Sequence, residues 1–154
     1  MSHLKAGDKA PTFTSIDQKG ATFSLESLKG KKVIMYFYPK DNTPGCTAES
    51  CDLRDNYLDW KAKGFEVVGV SSDSASSHQK FIEKYNLPFT LVADTDKQVH
   101  ELYGTWVEKS MYGRKYMGTA RETFVIDENG IIVEVFEKVN TKAHSAQIAE
   151  ALGL

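Results

Sequence analysis

At 154 residues, with 41% hydrophobic and 26% charged side chains, the chain has the size and make-up of one globular domain with its own core, and this mixture excludes a disordered or fibrous polymer. Nineteen lysines and arginines stand against 21 acids; the net charge of -2 excludes a general attraction to nucleic acid or anionic lipid and suits a small, neutral or weakly charged substrate. The longest apolar run, VIMYFY at Val33 to Tyr38, falls far short of the roughly 20 residues of a membrane span, and the N-terminus shows no cationic-then-apolar leader, so the expectation is a cytoplasmic protein with no membrane partner.

In chain order, PTFTSI and ATFSL flank the turn DQKG as an N-terminal β-hairpin, followed by a turn of helix. Val33 to Tyr38 reads as a strand buried on both faces, stopped by Pro39. After the loop KDNTPG a helix is expected from about Cys46 to Lys63, capped by Gly64. FEVVGVS is a second buried strand, SASSHQKFIEKYN a helix opened by capping serines, FTLVAD a third strand and DKQVHELYG a short helix ended by Gly104. WVEKSMYGRKYMG reads as a surface loop bordering the loop-and-helix region; its mixture of aromatic and basic side chains is too short and isolated for nucleic-acid stacking. ETFVID and IIVEVFEK form a hairpin through Asn129-Gly130, and a last helix covers about Thr141 to Leu152. Strands alternating with helices and closed by an antiparallel pair predict an α/β fold, a mixed central sheet with helices on both faces, in a single domain over residues 1–154.

Both cysteines lie in YPKDNTPGCTAESCDLRD. Two are too few for a disulfide-dense scaffold, and such a pair in a reducing compartment points to catalysis or metal binding. With Cys46 at 0° on a helical wheel, Ser50, Leu53, Tyr57 and Trp60 fall at about +40°, -20°, +20° and -40°, so Cys46 shares the core-facing stripe, whereas Cys51 falls at about 140°, near Leu58. On a regular helix the two Cα atoms stand about 8.7 Å apart, beyond the roughly 7 Å that an unstrained disulfide tolerates. Any bond between these sulfurs therefore requires the first turns to unwind.

A helix N-terminus favours an anion, but its contribution of at most about 2 kcal/mol is less than the roughly 3.4 kcal/mol that takes an ordinary thiol from 8.5 to about 6. A cation is needed, and Arg121, just before the ETFVID strand, is the economical candidate. Glu49 reads as a first-turn acid complementing the dipole. His100 reads as a short-helix surface residue and His3, His78 and His144 as solvated positions; scattered in this way, and without a second cysteine pair, they give little support to a zinc site. Neither a nucleotide-binding nor a phosphate-loop pattern occurs.

PKDNTPGC fits P-x-x-x-T-x-x-C, and the whole neighbourhood resembles the peroxiredoxins, in particular the bacterioferritin comigratory protein (peroxiredoxin Q) subfamily, as do GDKAPTF, FEVVGVSSDS and Tyr103 to Asp127. The resemblance implies a thioredoxin-like fold and thiol-dependent reduction of hydrogen peroxide and organic hydroperoxides. It makes Cys46 the peroxidatic cysteine, Cys51 the resolving cysteine, Thr43 the threonine that bonds nucleophile and peroxide, Pro39 the proline that shields the site, and Arg121 the arginine that holds thiolate and peroxide together. It further implies an intramolecular Cys46-Cys51 disulfide, thioredoxin or a similar dithiol as reductant, a monomer, and no metal or flavin cofactor. The alternatives are a thioredoxin-like protein disulfide oxidoreductase, which normally carries C-x-x-C, and a thiol redox sensor that signals by unwinding the Cys46 helix.

Overall fold

The computed structural model describes residues 3–154. β1 (Thr14–Ile16) and β2 (Thr22–Ser24) pair antiparallel as the expected hairpin, and a 3-10 turn over Leu25–Leu28 follows, capped by the Ser24 side chain. β3 (Lys32–Phe37) leads through the Pro39 loop into α1 (Pro44–Asp55) and α2 (Tyr57–Ala62). β4 (Phe65–Ser71), α3 (Ala75–Tyr85), β5 (Thr90–Ala93) and α4 (Gln98–Tyr103) continue the alternation. β6 (Trp106–Met111), β7 (Arg114–Thr119), β8 (Glu122–Ile126), β9 (Ile132–Phe136) and α5 (His144–Leu152) complete it.

The central sheet has the order β5-β4-β3-β8-β9. β3, β4 and β5 are parallel, while β8 runs antiparallel to β3 and β9 antiparallel to β8. Because side chains alternate across a strand, Ile34, Tyr36 and Tyr38 of the β3 run enter one core with Cys46, Leu53, Trp60, Phe81 and Ile148, from α1, α2, α3 and α5. Val33, Met35 and Phe37 enter the other, with Val99 and Tyr103 of α4 and with Phe13 and Leu25 of the N-terminal segment. β3 is thus covered on both faces, as an apolar run without alternation demands. At the middle of the sheet Gly69 faces Tyr36; a Cβ there would stand 2.6 Å from Leu91 Cδ2 and 3.0 Å from the Tyr36 ring, so only glycine admits the close packing of that ring. No helix among the described residues is long and apolar enough to cross a membrane.

Three local expectations need correction. The single helix expected over Cys46 to Lys63 begins two residues earlier, with Pro44 in the first turn, and is interrupted at Asn56, whose side-chain Nδ2 donates to the Asp52 carbonyl at 2.9 Å and offers that carbonyl a partner outside the helical ladder. The WVEKSMYGRKYMG segment is not a loop but a two-stranded ribbon, β6 against β7, in which Met111 pairs with Arg114 across a two-residue turn. Tyr112 and Gly113 both take positive φ (53° and 77°), as a turn of that length needs, and a tyrosine there hid the hairpin signal. His78, His100 and His144 are not solvated: all three are fully buried, with both ring nitrogens bonded, and only His3 is exposed.

Candidate active site

The register pairs Phe37 with Glu122, so Arg121 emerges at the same end of the sheet as the Pro39–Thr43 loop that delivers α1. Cys46 occupies the first turn of α1 with no exposed surface, beneath the open helix N-terminus. Arg121 Nη2 lies 3.3 Å from Cys46 Sγ, and Nη1 donates to Glu49 Oε1 at 2.8 Å. The planar guanidinium therefore bridges a sulfur and a carboxylate on one helix face. Gly45 makes room for it: a Cβ there would stand 3.2 Å from Arg121 Nη2.

Glu49 corrects the expectation of a dipole-satisfying first-turn acid. It lies in the second turn, fully buried, and its wheel angle, about 60° from Cys46 at 100° per residue, already placed it beside the core stripe. Burial pushes its carboxyl up to about 7, against the pull of Arg121. Its second oxygen, Oε2, has no hydrogen bond among the described residues and lies 3.7 Å from His144 Nε2. Lys109 on β6 is a second cation near the site: burial and the Arg121 charge lower its pKa, while the field of Cys46 raises it.

The loop ahead of α1 is locked from below by a hub on Asp41. Its carboxylate accepts from Tyr38 Oη (2.6 Å), Ser77 Oγ (2.8 Å) and His78 Nδ1 (2.8 Å), while its backbone N–H donates to Asp73 Oδ2 (2.8 Å). Asp41, Asp73 and His78 bring ligand-type atoms within 4.8 Å of one another, but these hydrogen bonds already engage them. Pro39 is half-buried at the end of β3. The Thr43 hydroxyl donates to the Lys40 carbonyl at 2.8 Å, which commits its one hydrogen and leaves it lone pairs to offer.

Cys51 sits partly exposed five residues along the same helix; burial pushes its thiol up, Arg54 opposes this and Asp55 adds to it. α1 is regular over Pro44–Asp55, so the sulfurs are separated as the wheel requires, and both cysteines are free. The structure thus brings together Cys46 and Arg121 with the Pro39–Thr43 loop at their side, and holds Cys51 apart.

Residues 6–135 match the AhpC/TSA family. The chain belongs to that family. Over 149 residues it is 50% identical to a bcp peroxiredoxin of Coxiella burnetii (strain RSA 493 / Nine Mile phase I), covering 97% of this chain and 99% of the relative. Over 144 residues it is 46% identical to peroxiredoxin Bcp of Escherichia coli (strain K12), covering 94% and 92%. Among solved structures, a cysteine-to-serine mutant of Xylella fastidiosa PrxQ superposes with a TM-score of 0.92 at 29% identity, over 99% of this chain and 98% of that one. The Xanthomonas campestris bacterioferritin comigratory protein, studied for alkyl peroxide reduction, superposes with 0.86 at 30% identity, over 99% and 98%. The fold is therefore the thioredoxin-like fold of the peroxiredoxins, and the family's activity, thiol-dependent peroxide reduction, coincides with a buried sulfur facing a guanidinium.

The sequence reading did not connect His144, Lys109 or the Asp41 hub with this site and took Glu49 for a dipole partner. Glu49 was accessible from the wheel; His144 comes from α5, Lys109 from β6, and the partners that engage Asp41, Ser77 and His78, from α3, and no local spacing announces them.

Proposed function

We propose that the chain reduces hydrogen peroxide and alkyl hydroperoxides by an atypical two-cysteine cycle within one polypeptide. The observation that carries this reading is Arg121 Nη2 at 3.3 Å from the buried Cys46 Sγ at a helix N-terminus.

In the first step the Cys46 thiolate attacks one oxygen of ROOH. The S–O bond forms as the O–O bond breaks; the hydroperoxide hydrogen stays on the attacked oxygen, giving the Cys46 sulfenic acid, and the departing RO⁻ takes a proton from solvent and leaves as ROH, or as water when R is hydrogen. Arg121 and the open N–H groups of the first turn of α1 face the charge that develops on the separating oxygens. Thr43 accepts a hydrogen bond from the bound hydroperoxide, and Pro39 shields the sulfur from water. In the second step the Cys51 thiolate attacks the Cys46 sulfenic acid; an S–S bond forms, and hydroxide leaves to become water. With Cα atoms about 8.7 Å apart on intact α1, this step requires the turns between them to open. A dithiol such as thioredoxin then reduces the disulfide by two successive exchanges, becoming oxidised itself. No step calls on a metal or flavin, and the cycle needs neither membrane nor nucleic acid; cytoplasmic residence and a monomeric state complete the reading.

Stopped-flow peroxide consumption tests it. Cys46→Ser abolishes the reaction, whereas Cys51→Ala performs one fast reduction per chain and then stops under thioredoxin-linked cycling. Wild-type turnover by the Cys46→Ser protein refutes the assignment. A disulfide oxidoreductase or a redox sensor in its place would show no rapid catalytic peroxide consumption.

A further inference from the structure

Behind Arg121 lies a second layer that the cycle above does not use. His144, the first residue of α5, is fully buried. Its Nδ1 faces Gln147 Oε1 at 2.9 Å, and the orientation of that amide is fixed, because Oε1 also accepts from Asn140 N (2.9 Å) while Nε2 donates to the Lys138 carbonyl (2.7 Å). Nδ1 therefore carries a hydrogen. The other ring nitrogen, Nε2, stands 2.8 Å from Thr123 Oγ1 and 3.7 Å from Glu49 Oε2, the carboxylate oxygen that lacks a hydrogen bond. Nε2 accepts from the Thr123 hydroxyl, whereas Oε2, 3.7 Å away and beyond hydrogen-bond reach, has no donor, and an unbonded buried carboxylate oxygen beside a nitrogen lone pair is unfavourable unless it carries a proton.

Resting on the assignment of Cys46 as nucleophile, we propose that His144 is a positioning residue: it shares one proton with Glu49, and that proton, by cancelling the Glu49 charge, leaves the Arg121 guanidinium free to act on Cys46. When the pair is deprotonated, Glu49 and Arg121 form a compensated ion pair and the sulfur feels less positive charge. When the pair holds its proton, whether on oxygen or on Nε2, its net charge is zero, and Arg121 faces Cys46 uncompensated.

The groups facing this pair are consistent with such a site. Asp52 on α1 raises the proton affinity of both Glu49 and His144, and Arg121 lowers it for both. Burial pushes the Glu49 carboxyl up to about 7 and holds the His144 imidazole below its ordinary value, so the exchangeable proton belongs mainly to the carboxyl. Tyr36 on β3 feels the Glu49 charge, but burial raises it well above the neutral range; Lys109 on β6 couples to Arg121 and Cys46. Thr123 and Gln147 bond the imidazole without titrating.

The test uses the full reduced chain with Cys51→Ala, so that only Cys46 labels. Glutamate carboxyl carbons are followed by ¹³C NMR against pH, with Glu49 assigned through Glu49→Gln, and alkylation of Cys46 by iodoacetamide is timed at each pH. The expected result for His144→Phe is a Glu49 midpoint lower by about one pH unit and alkylation at pH 7 slower by roughly five-fold. His144→Gln, which restores an acceptor, lies between the two, and provides the measurement should the phenylalanine variant fail to fold. In the Glu49→Gln background, replacing His144 has no further effect on alkylation. An unmoved Glu49 midpoint, or an equal loss in the Glu49→Gln background, overturns the proposal. Neither readout uses peroxide, so a chain that fails to turn over peroxide would sink the proposed function without touching the titration result.

Discussion

Arg121 does its work by touching two groups at once, and the partner on its far side is the unusual one. A carboxylate held fully inside the protein normally loses more hydration than an ion pair restores, unless all its lone pairs are bonded; Glu49 has one oxygen on Arg121 and the other beside His144. The consequence is a pH-dependent stability of definite sign. The folded-state pKa of Glu49, about 7, lies above its ordinary 4.5, so the native chain binds more protons than the unfolded one between those values, and the stability that Glu49 contributes at acid pH is lost as pH rises through 7. His144, held low by burial, adds a slope of opposite sign below pH 6.5. Glu49→Gln removes the first slope only. Urea unfolding of both proteins at pH 5 and pH 8 should show the variant gaining on wild type by on the order of 3 kcal/mol across that interval. A constant difference would mean that Glu49 is ionised throughout. At this scale a local pattern marked Cys46, Thr43 and Pro39, and the need of a cation beside a thiolate pointed to Arg121, which the fold brings against Cys46; the sequence could not disclose the histidines. Their burial is decided by partners 14 to 37 residues away, such as Val92 and Asp41 for His78 and Thr123 for His144.

Among the elements, α1 carries the functional tension. Its second half is pinned: Ser145 N donates to Asp52 Oδ2 at 2.6 Å, Arg54 Nη1 donates to the Tyr85 carbonyl at 2.8 Å, and Tyr36 Oη and Ser50 Oγ share a 2.8 Å hydrogen bond. Its first turn is held by fewer contacts, chiefly Arg121 on Cys46 and Glu49 and the helical bond from Thr47 N to Thr43 O. When the sulfur becomes a neutral sulfenic acid, the Arg121 attraction weakens. In the proposed cycle the end expected to open is therefore the Cys46 end, with Cys51 staying near its native place. Hydrogen exchange on reduced and disulfide forms should show protection lost over Thr47 to Ser50 and retained beyond Leu53. Unchanged protection through Thr47 to Arg54 would contradict an unwinding helix. The helix itself was legible from the turn ahead of Cys46, Gly64 and the wheel; its interruption was not, because the Asn56 side chain adds a second bond to the Asp52 carbonyl that forms only once the neighbouring turn exists.

For the whole molecule, strand order explains why so much of the architecture could be read in advance. Unbroken apolar runs at β3 and β4 could only be central strands, the Asn129-Gly130 turn could only join antiparallel neighbours, and both hold in the sheet. The β6–β7 ribbon stayed hidden because its pattern is polar on both sides and its turn begins with Tyr112. The sheet sets Arg121 beside the helix that carries both cysteines, so the proposed cycle closes inside a single chain. Peptide mass spectrometry after one equivalent of hydrogen peroxide tests this most directly. The account predicts a Cys46–Cys51 disulfide in a species of monomer mass, formed only when both cysteines are present. A stable Cys46 sulfenic or sulfinic acid beside a free Cys51 thiol, or a disulfide joining two chains, would contradict it.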